Sequence, residues 1–166
     1  MIINLTMDNL EKLQETKKAA EAFYENIGSV PCPYLKRSIV FNVKGLDHIK
    51  MKAWNKTRLS SDQYLRLKFL KLVPDVLRVA GTLQELLETN CMERLKFTGK
   101  WQHKMVSVKY YGFIAIINGI KIKIIIKEIE GVPPYFWSVI PFWKTKNNEI
   151  FGEIKKVFHE GDLEND

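Results

Sequence analysis

Residues 104–129 read K-M-V-S-V-K-Y-Y-G-F-I-A-I-I-N-G-I-K-I-K-I-I-I-K-E-I, and they contain the clearest signal for the fold in this chain. Asn118-Gly119 lies within it, between two runs that are rich in β-branched and aromatic residues. This dipeptide is the strongest short signal for a two-residue hairpin turn, because both positions of a type I′ turn need a positive φ. The stretch therefore predicts two antiparallel strands, over 104–117 and 120–129.

The same stretch predicts which side chains share a face of the sheet, because successive side chains of a strand point to opposite faces. On the first strand we expect Val106, Val108 and Tyr110 on one side, together with Phe113. On the return strand we expect the isoleucines to face the helices and the lysines to face the other way. The isoleucines are Ile120, Ile122, Ile124 and Ile126, and the lysines are Lys121, Lys123 and Lys127.

Helices are predicted before this hairpin, and a further strand is predicted on each side of it. Apolar residues at helical spacing, together with capping and stop signals, predict helices over 7–27, 45–54, 62–72 and 74–79, and Thr82-Leu83-Gln84-Glu85 resembles a capping box for one more. Short strands are predicted over 35–43 and over 135–140, where Pro141 ends the second. The pattern indicates an α+β fold, with N-terminal helices packed on one face of a C-terminal antiparallel meander.

The length of 166 residues fits a single domain. We divide it into a helical half over about 1–95, a sheet half over about 96–145, and a C-terminal helix with an acidic tail over 146–166. The chain begins without the charged and apolar segments of a signal peptide, and its longest apolar run is too short to cross a bilayer. We therefore expect no membrane association and a cytoplasmic location.

Positive charge is concentrated in one block of the sequence. The formal net charge is +7, whereas residues 36–71 alone carry ten Lys and Arg against Asp47 and Asp62. Both ends are acidic, since acids outnumber lysines over 1–28 and over 149–166. Such an asymmetric block favours a polyanionic partner, although a basic surface without a partner is the alternative.

A histidine stands between two lysines in this block. In a helix over 45–54, Lys44, His48 and Lys52 would lie on one face, opposite the packed side. Like charges at this spacing repel each other, so the arrangement favours an anion bound between them. An imidazole beside a phosphate could move protons, and a merely solvated surface histidine is the alternative.

Motifs for metal or nucleotide chemistry are missing from the sequence. It has no Gly-rich phosphate loop, no paired carboxylates in the basic block and no HExxH motif. Cys32 and Cys91 have neither pairing nor metal-ligand spacing. We therefore expect no cofactor and no metal ion, and any chemistry on a nucleic acid should be metal-independent.

Metal-independent cleavage of RNA has defined chemical needs. A base must take the proton of the 2′-hydroxyl, an acid must protonate the leaving 5′-oxygen, and cations must stabilise the phosphoryl oxygens. His48 suits the proton transfer, and Lys44, Lys52 and Arg66 suit the charge stabilisation. DNA lacks the 2′-hydroxyl, so such a site would act on RNA.

Several short motifs occur in the order and spacing of a known family. G-L-D-H-I-K-M-K at 45–52, then Q-Y-L-R at 63–66 and V-P-D-V-L at 73–77, resemble the helical half of phage- and mobile-element-borne ribonucleases. These belong to the barnase–EndoU–colicin–RelE-like superfamily. Y-F-W-S-V-I-P-F-W-K-T at 135–145 resembles the sheet segment that ends their domain, so the resemblance spans about 35–146. It implies helices packed on an antiparallel sheet and metal-independent RNA cleavage, often by a toxin.

The resemblance also implies site residues and partners. By position it indicates His48, Lys52, Arg66, Ser138 and Thr145 as catalytic. It is consistent with a cognate antitoxin or immunity protein, whereas the sequence leaves the oligomeric state open. The side chains expected to contact RNA are Lys50, Lys56, Arg58, Tyr110, Trp137, Trp143 and Lys144.

Two other functions fit the sequence. The chain could be a non-catalytic nucleic-acid-binding module whose basic helices contact phosphates. It could also be a phage or mobile-element protein that inhibits a host protein.

For the ribonuclease, His103 would be the second candidate for proton transfer if His48 did not carry it out.

Overall fold

The computed structural model describes residues 7–53 and 56–142, without the side chains of 7–9, 52, 53, 56, 60 and 142. The helices are α1 (Met7–Glu25), α2 (Val43–Lys50), α3 (Ser60–Phe69), which a 3₁₀ turn (Leu70–Leu72) extends, and α4 (Val73–Val79). The strands are β1 (Ser29–Cys32), β2 (Arg37–Val40), β3 (Met51–Ala53), β4 (Lys56–Thr57), β5 (Glu85–Phe97), β6 (Lys100–Ile117), β7 (Ile120–Ile129) and β8 (Tyr135–Phe142).

Six of these strands form one sheet, in the order β1-β2-β8-β7-β6-β5. All neighbours are antiparallel except β2 and β8, which are parallel and pair only at Val40 and Tyr135. The predicted turn between β6 and β7 is confirmed, since Asn118 and Gly119 both have positive φ. The protein is therefore α+β, with its helices N-terminal and most of its sheet C-terminal, as the sequence predicts.

The two faces of this sheet carry different cores. The helices pack on the face of Ile122, Ile124 and Ile126, which confirms the predicted direction of these isoleucines. Lys123 and Lys127 lie on the other face but are buried, Lys123 beside Glu85. The hydrophobic side chains buried on that face are Val106, Val108, Tyr110, Ile125, Ile129 and Tyr135, whereas Phe113, predicted to join them, lies on the helix face.

Helix α2 begins and ends differently from its prediction. Asn42 caps it, because its side chain accepts a hydrogen bond from the backbone N–H of Gly45 at 3.3 Å. The helix ends at Lys50 and the chain turns into β3, which pairs with β4. The predicted extension to Trp54 is therefore wrong, and Lys52 lies on a strand instead of one turn beyond His48.

The sheet also begins earlier than predicted. Residues 82–85 do not start a helix, since β5 begins at Glu85 and runs for 13 residues to Phe97. The boundary expected near residue 95 thus lies inside a strand. Sequence analysis also missed β1, a short strand that adds to β2 at the sheet edge. The C-terminal helix and tail predicted over 146–166 lie outside the described residues.

Strand β8 contains an irregularity that changes the direction in which Trp137 and Ser138 point. Phe136 pairs with Ile126 and Ser138 pairs with Ile125, so Trp137 is an extra residue between them. Phe136 lies in the helix-side core, whereas Ser138 shares the face of its partner Ile125. The strand also continues through Pro141 to Phe142, past its predicted end.

Helix α2 approaches β8 very closely at Gly45. A Cβ atom at this position would lie 2.2 Å from the backbone oxygen of Phe136 and 2.7 Å from the hydroxyl of Tyr24. That hydroxyl donates to the backbone oxygen of Asn42 at 2.6 Å. The small residue therefore sets how near α2 lies to the sheet.

None of the helices among the described residues combines the length and the apolar character that crossing a membrane requires.

Candidate functional site

His48 lies near the end of α2 and faces β8. Its imidazole stacks on the indole of Trp137, with 4.0 Å between ring centroids and 19° between ring planes. The residue is 8% exposed. The prediction that His48 lies on the solvent side of its helix is therefore wrong, since the helix turns this side chain toward the sheet.

Arg58 contacts His48 twice. Its Nε donates to the backbone oxygen of His48 at 3.0 Å, and one terminal nitrogen lies 3.3 Å from His48 Nε2. A guanidinium can only donate, so Nε2 is the acceptor and the imidazole carries its proton on Nδ1. Arg58 is itself buried. The pair thus holds His48 in one neutral tautomer.

A second buried arginine lies next to this pair. Arg66, on α3, donates from Nη1 to Ser138 Oγ at 2.7 Å and from Nε to Asp62 Oδ1 at 3.0 Å. Asp62 Oδ2 lies 3.5 Å from Arg58 Nη1, so one carboxylate contacts both guanidinium groups. Its side chain is 40% exposed, which makes Asp62 the solvent side of the cluster.

A lysine completes the cluster on the sheet. The Nζ of Lys127 lies 4.3 Å from the ring centroid of Trp137 and 5.5 Å from that of Tyr110. It pairs with Glu93 Oε1 at 2.6 Å, on β5. Tyr110 is completely buried beneath it. The prediction that Tyr110 contacts RNA is therefore wrong for the free protein.

These surroundings lower the pKa of His48 from its ordinary 6.5 to about 3. Burial contributes most, because it penalises the charged imidazolium. The positive charges of Arg58, Arg66 and Lys127 lower this pKa further. His48 is therefore neutral at pH 7, in agreement with its role as a hydrogen-bond acceptor.

This lowered pKa predicts how stability changes with pH. Between pH 6.5 and about 3 the unfolded chain protonates at His48 while the folded protein does not, so stability falls as the pH falls through this window. From pH 6.5 to 5 wild type should lose roughly 2 kcal/mol more of its free energy of unfolding than His48→Gln, at about 1.4 kcal/mol per pH unit. Urea unfolding at both pH values measures the difference.

The control for this experiment is His103→Gln. His103 is exposed on β6, so its replacement leaves the surroundings of His48 intact and the variant should follow wild type. Parallel pH dependences for wild type and His48→Gln would contradict the lowered pKa of His48.

The structure brings together a large part of the predicted site. His48, Arg66 and Ser138, all predicted to be catalytic, lie in one cluster with Arg58 and Trp137, which were predicted to contact RNA.

The other predicted site residues lie elsewhere or cannot be located. Lys44 is exposed, with its Nζ 5.9 Å from the ring centroid of Tyr135, and Lys50 pairs with Glu21 on α1. The side chains of Lys52 and Lys56, and the whole of Trp143, Lys144 and Thr145, lie outside the described residues.

Sequence analysis missed Asp62, Glu93 and Lys127 as members of the cluster. Lys127 does carry a signal, because the alternation of lysine and isoleucine on β7 predicts its face. Asp62 follows Arg58 and precedes Arg66 by four residues in each case, which is the spacing of helical ion pairs. Glu93 had no such signal, because the prediction assigned residues up to about 95 to the helical half and did not place a strand there.

A cavity of about 630 Å³ lies away from this cluster, at the turn between β7 and β8. Arg37 and Glu128 line it and form an ion pair with each other, and Lys109 and Glu130 also face it. Charges of both signs are mixed there, so we assign no chemistry to it. Within the described ranges, no three His, Cys, Asp or Glu residues come together as potential metal ligands.

The fold and the cluster define an α+β protein with a neutral histidine held among buried cations. Comparisons with known protein families, with curated proteins and with solved structures found no match.

Proposed function

We propose that this protein is a metal-independent ribonuclease that cleaves RNA by attack of a 2′-hydroxyl on the adjacent phosphate. One observation carries the proposal: the neutral imidazole of His48 is held beside the buried side chains of Arg58, Arg66 and Ser138. These groups supply what proton transfer and phosphoryl stabilisation need. Burying such charges costs free energy, so a function that uses them accounts for their presence.

Asp62 indicates where a phosphate would bind. Its two oxygens contact Arg58 and Arg66 in the way that a phosphate presents oxygens to paired guanidinium groups. The side chain of Asp62 is also partly open to solvent, whereas His48 and Ser138, which contact the same arginines, are buried. In the proposed complex a phosphodiester replaces the carboxylate between Arg58 and Arg66.

The bound phosphate would change the protonation of His48. Its negative charge offsets the two arginines, so the pKa of His48 rises from its low value in the free protein. With Arg58 turned to the phosphate, Nε2 of His48 is open to accept the proton of the 2′-hydroxyl. The 2′-oxygen bonds to phosphorus, the bond to the 5′-oxygen breaks, and the leaving oxygen takes the proton from the imidazolium. The products are a 2′,3′-cyclic phosphate and a 5′-hydroxyl.

The test is cleavage in EDTA, which removes free divalent metal ions. We expect purified protein to convert RNA into fragments that end in a 2′,3′-cyclic phosphate, identified by end-group analysis. A DNA strand of the same sequence should remain intact, because it lacks the attacking hydroxyl. RNA that remains intact, or fragments with a linear 3′-hydroxyl end, would overturn the proposed activity.

The alternatives predict different results in the same samples. A non-catalytic nucleic-acid-binding module would bind RNA with an affinity that falls as salt rises, and would create no new ends. An inhibitor of a host protein would bind that protein, and its affinity for RNA would be low at every salt concentration.

The resemblance to barnase–EndoU–colicin–RelE-like ribonucleases supports the same activity. RNA is then the substrate, and the cytoplasm, where cellular RNA is abundant, is the proposed location. A toxin-like ribonuclease in that compartment would need a cognate antitoxin or immunity protein. Thr145 remains a proposed catalytic residue, and Trp143 and Lys144 remain proposed RNA contacts, on the sequence alone.

A further inference from the structure

Strands β5 and β6 extend past the end of β7 as a two-stranded arm. The last pair between β6 and β7 joins Val108 to Ile129. Beyond it β5 and β6 continue for eight more residue pairs, from Asn90 with Ser107 to Phe97 with Lys100. We call residues 90–107 the arm. At about 3.4 Å per residue its paired part is roughly 24 Å long.

One face of the arm carries basic, aromatic and methionine side chains, all of them exposed. Its cross-strand pairs are Met92 with Met105, Arg94 with His103, and Lys96 with Trp101. Trp101 is 60% exposed, although Trp is usually largely buried. The guanidinium of Arg94 lies 5.4 Å from its ring centroid.

The opposite face of the arm is anchored to the rest of the protein. Val106 is buried, and Cys91 and Leu95 are half-buried against the core of that sheet face. Glu93 pairs with Lys127, which also contacts Trp137. The arm is therefore held in place by one face, and the exposed face is not needed for packing.

The charges on the arm indicate what kind of partner its exposed face would bind. On the exposed face Arg94 and Lys96 are positive, whereas Lys100 and Lys104 share the opposite face with the one acid, Glu93, which is in its ion pair. A surface with exposed cations, an exposed indole and no acid matches a single-stranded nucleic acid, in which phosphates meet the cations and a base stacks on the aromatic ring.

We propose that the exposed face of the arm binds single-stranded RNA, with a base stacked on Trp101 and phosphates on Arg94 and Lys96. The choice of RNA over DNA rests on the proposed ribonuclease function. The arm then provides a binding surface outside the His48 cluster. It is connected to the cluster through Glu93 and Lys127.

The experiment measures binding to a single-stranded 2′-O-methyl RNA of about 12 nucleotides. This probe lacks the free 2′-hydroxyl, so it cannot be cleaved by the proposed reaction and reports binding alone. Trp101→Ala should weaken binding at least about fivefold, the loss expected for one stacked base. The double variant Arg94→Ala/Lys96→Ala should lower the slope of log K against log salt by about 1.4, or about 0.7 for each cation.

Two matched controls accompany these variants. Leu86→Ala removes an exposed apolar side chain of β5 outside the arm, and Lys12→Ala/Lys18→Ala removes two exposed cations of α1. Both should bind like wild type.

Each outcome is decisive for the arm. Equal affinity of wild type and Trp101→Ala, or no binding of the probe by wild type, would overturn the proposal and leave the arm to a protein partner. A loss of binding in the arm variants, from a wild-type protein that does not cleave RNA in EDTA, would instead support the arm and reject the ribonuclease.

Discussion

The His48→Ala variant is expected to cleave RNA about 100- to 10,000-fold more slowly than wild type, the usual contribution of a general base. The side chain carries the acceptor nitrogen of the cluster, Nε2, and neither the arginines nor the hydroxyl of Ser138 can replace it at neutral pH. Initial rates on one RNA substrate in EDTA, at equal protein concentration, measure the loss.

His48→Gln and His103→Ala are the matching variants. Glutamine at 48 keeps most of the volume beside Trp137 but cannot relay a proton, so it should be as slow as alanine. His103 is exposed on the face of the arm that is proposed to bind RNA, so the comparison is made at saturating RNA, where its removal should leave kcat within a few-fold of wild type. Wild-type rates in both His48 variants would remove His48 from the reaction. Binding of 2′-O-methyl RNA should survive in these variants, since it does not require proton transfer.

Gly45→Ala is expected to lower the melting temperature by roughly 5–10 °C. An added Cβ would meet the backbone oxygen of Phe136 at 2.2 Å, and overpacking of this kind costs about 1–3 kcal/mol or more. Helix propensity alone predicts the opposite sign, because alanine is better than glycine inside a helix by about 1 kcal/mol. The sign of the measured shift in melting temperature therefore tests the close approach of α2 to β8. Thermal unfolding followed by circular dichroism measures it.

Gly81→Ala is the control for this experiment. No atom lies within 4 Å of a Cβ added at Gly81, so this variant should melt near the wild-type temperature or slightly above it. Melting of Gly45→Ala at or above that temperature would contradict the tight contact. The cleavage rate of Gly45→Ala should also fall, because any shift of α2 moves His48 relative to Trp137 and Arg58.

The elements whose structure depends only on residues close together in the chain were predicted from the sequence. The Asn118-Gly119 turn needs only the positive φ of its own two residues, and it fixes the pairing of β6 with β7. Helix α1 follows from its own apolar spacing and the glycine after it. The direction of Ile122, Ile124 and Ile126 follows from the two-residue period of a strand.

The errors arose where distant partners outweigh local preference. Residues 82–85 resemble a capping box, yet Glu85 begins a strand because β6 offers hydrogen-bond partners along 13 residues. Thr98-Gly99, with positive φ at both residues, makes a hairpin turn that was not predicted from the sequence. Helix α2 stops at Lys50 because Met51 pairs with Thr57, although no glycine or proline ends it.

The α+β class, the central hairpin and the basic block could be predicted without the structure, because each depends on residues close together in the chain. The folded structure, in contrast, was needed to establish that His48 is buried and neutral, because that state is set by Arg58, Arg66 and Trp137, the last of them 89 positions away. It also decided that Trp137 and Ser138 face the cluster, since an extra residue in β8 shifts the register there. The pKa of a side chain depends on the charges and burial around it in space, and a single sequence does not state which residues supply them.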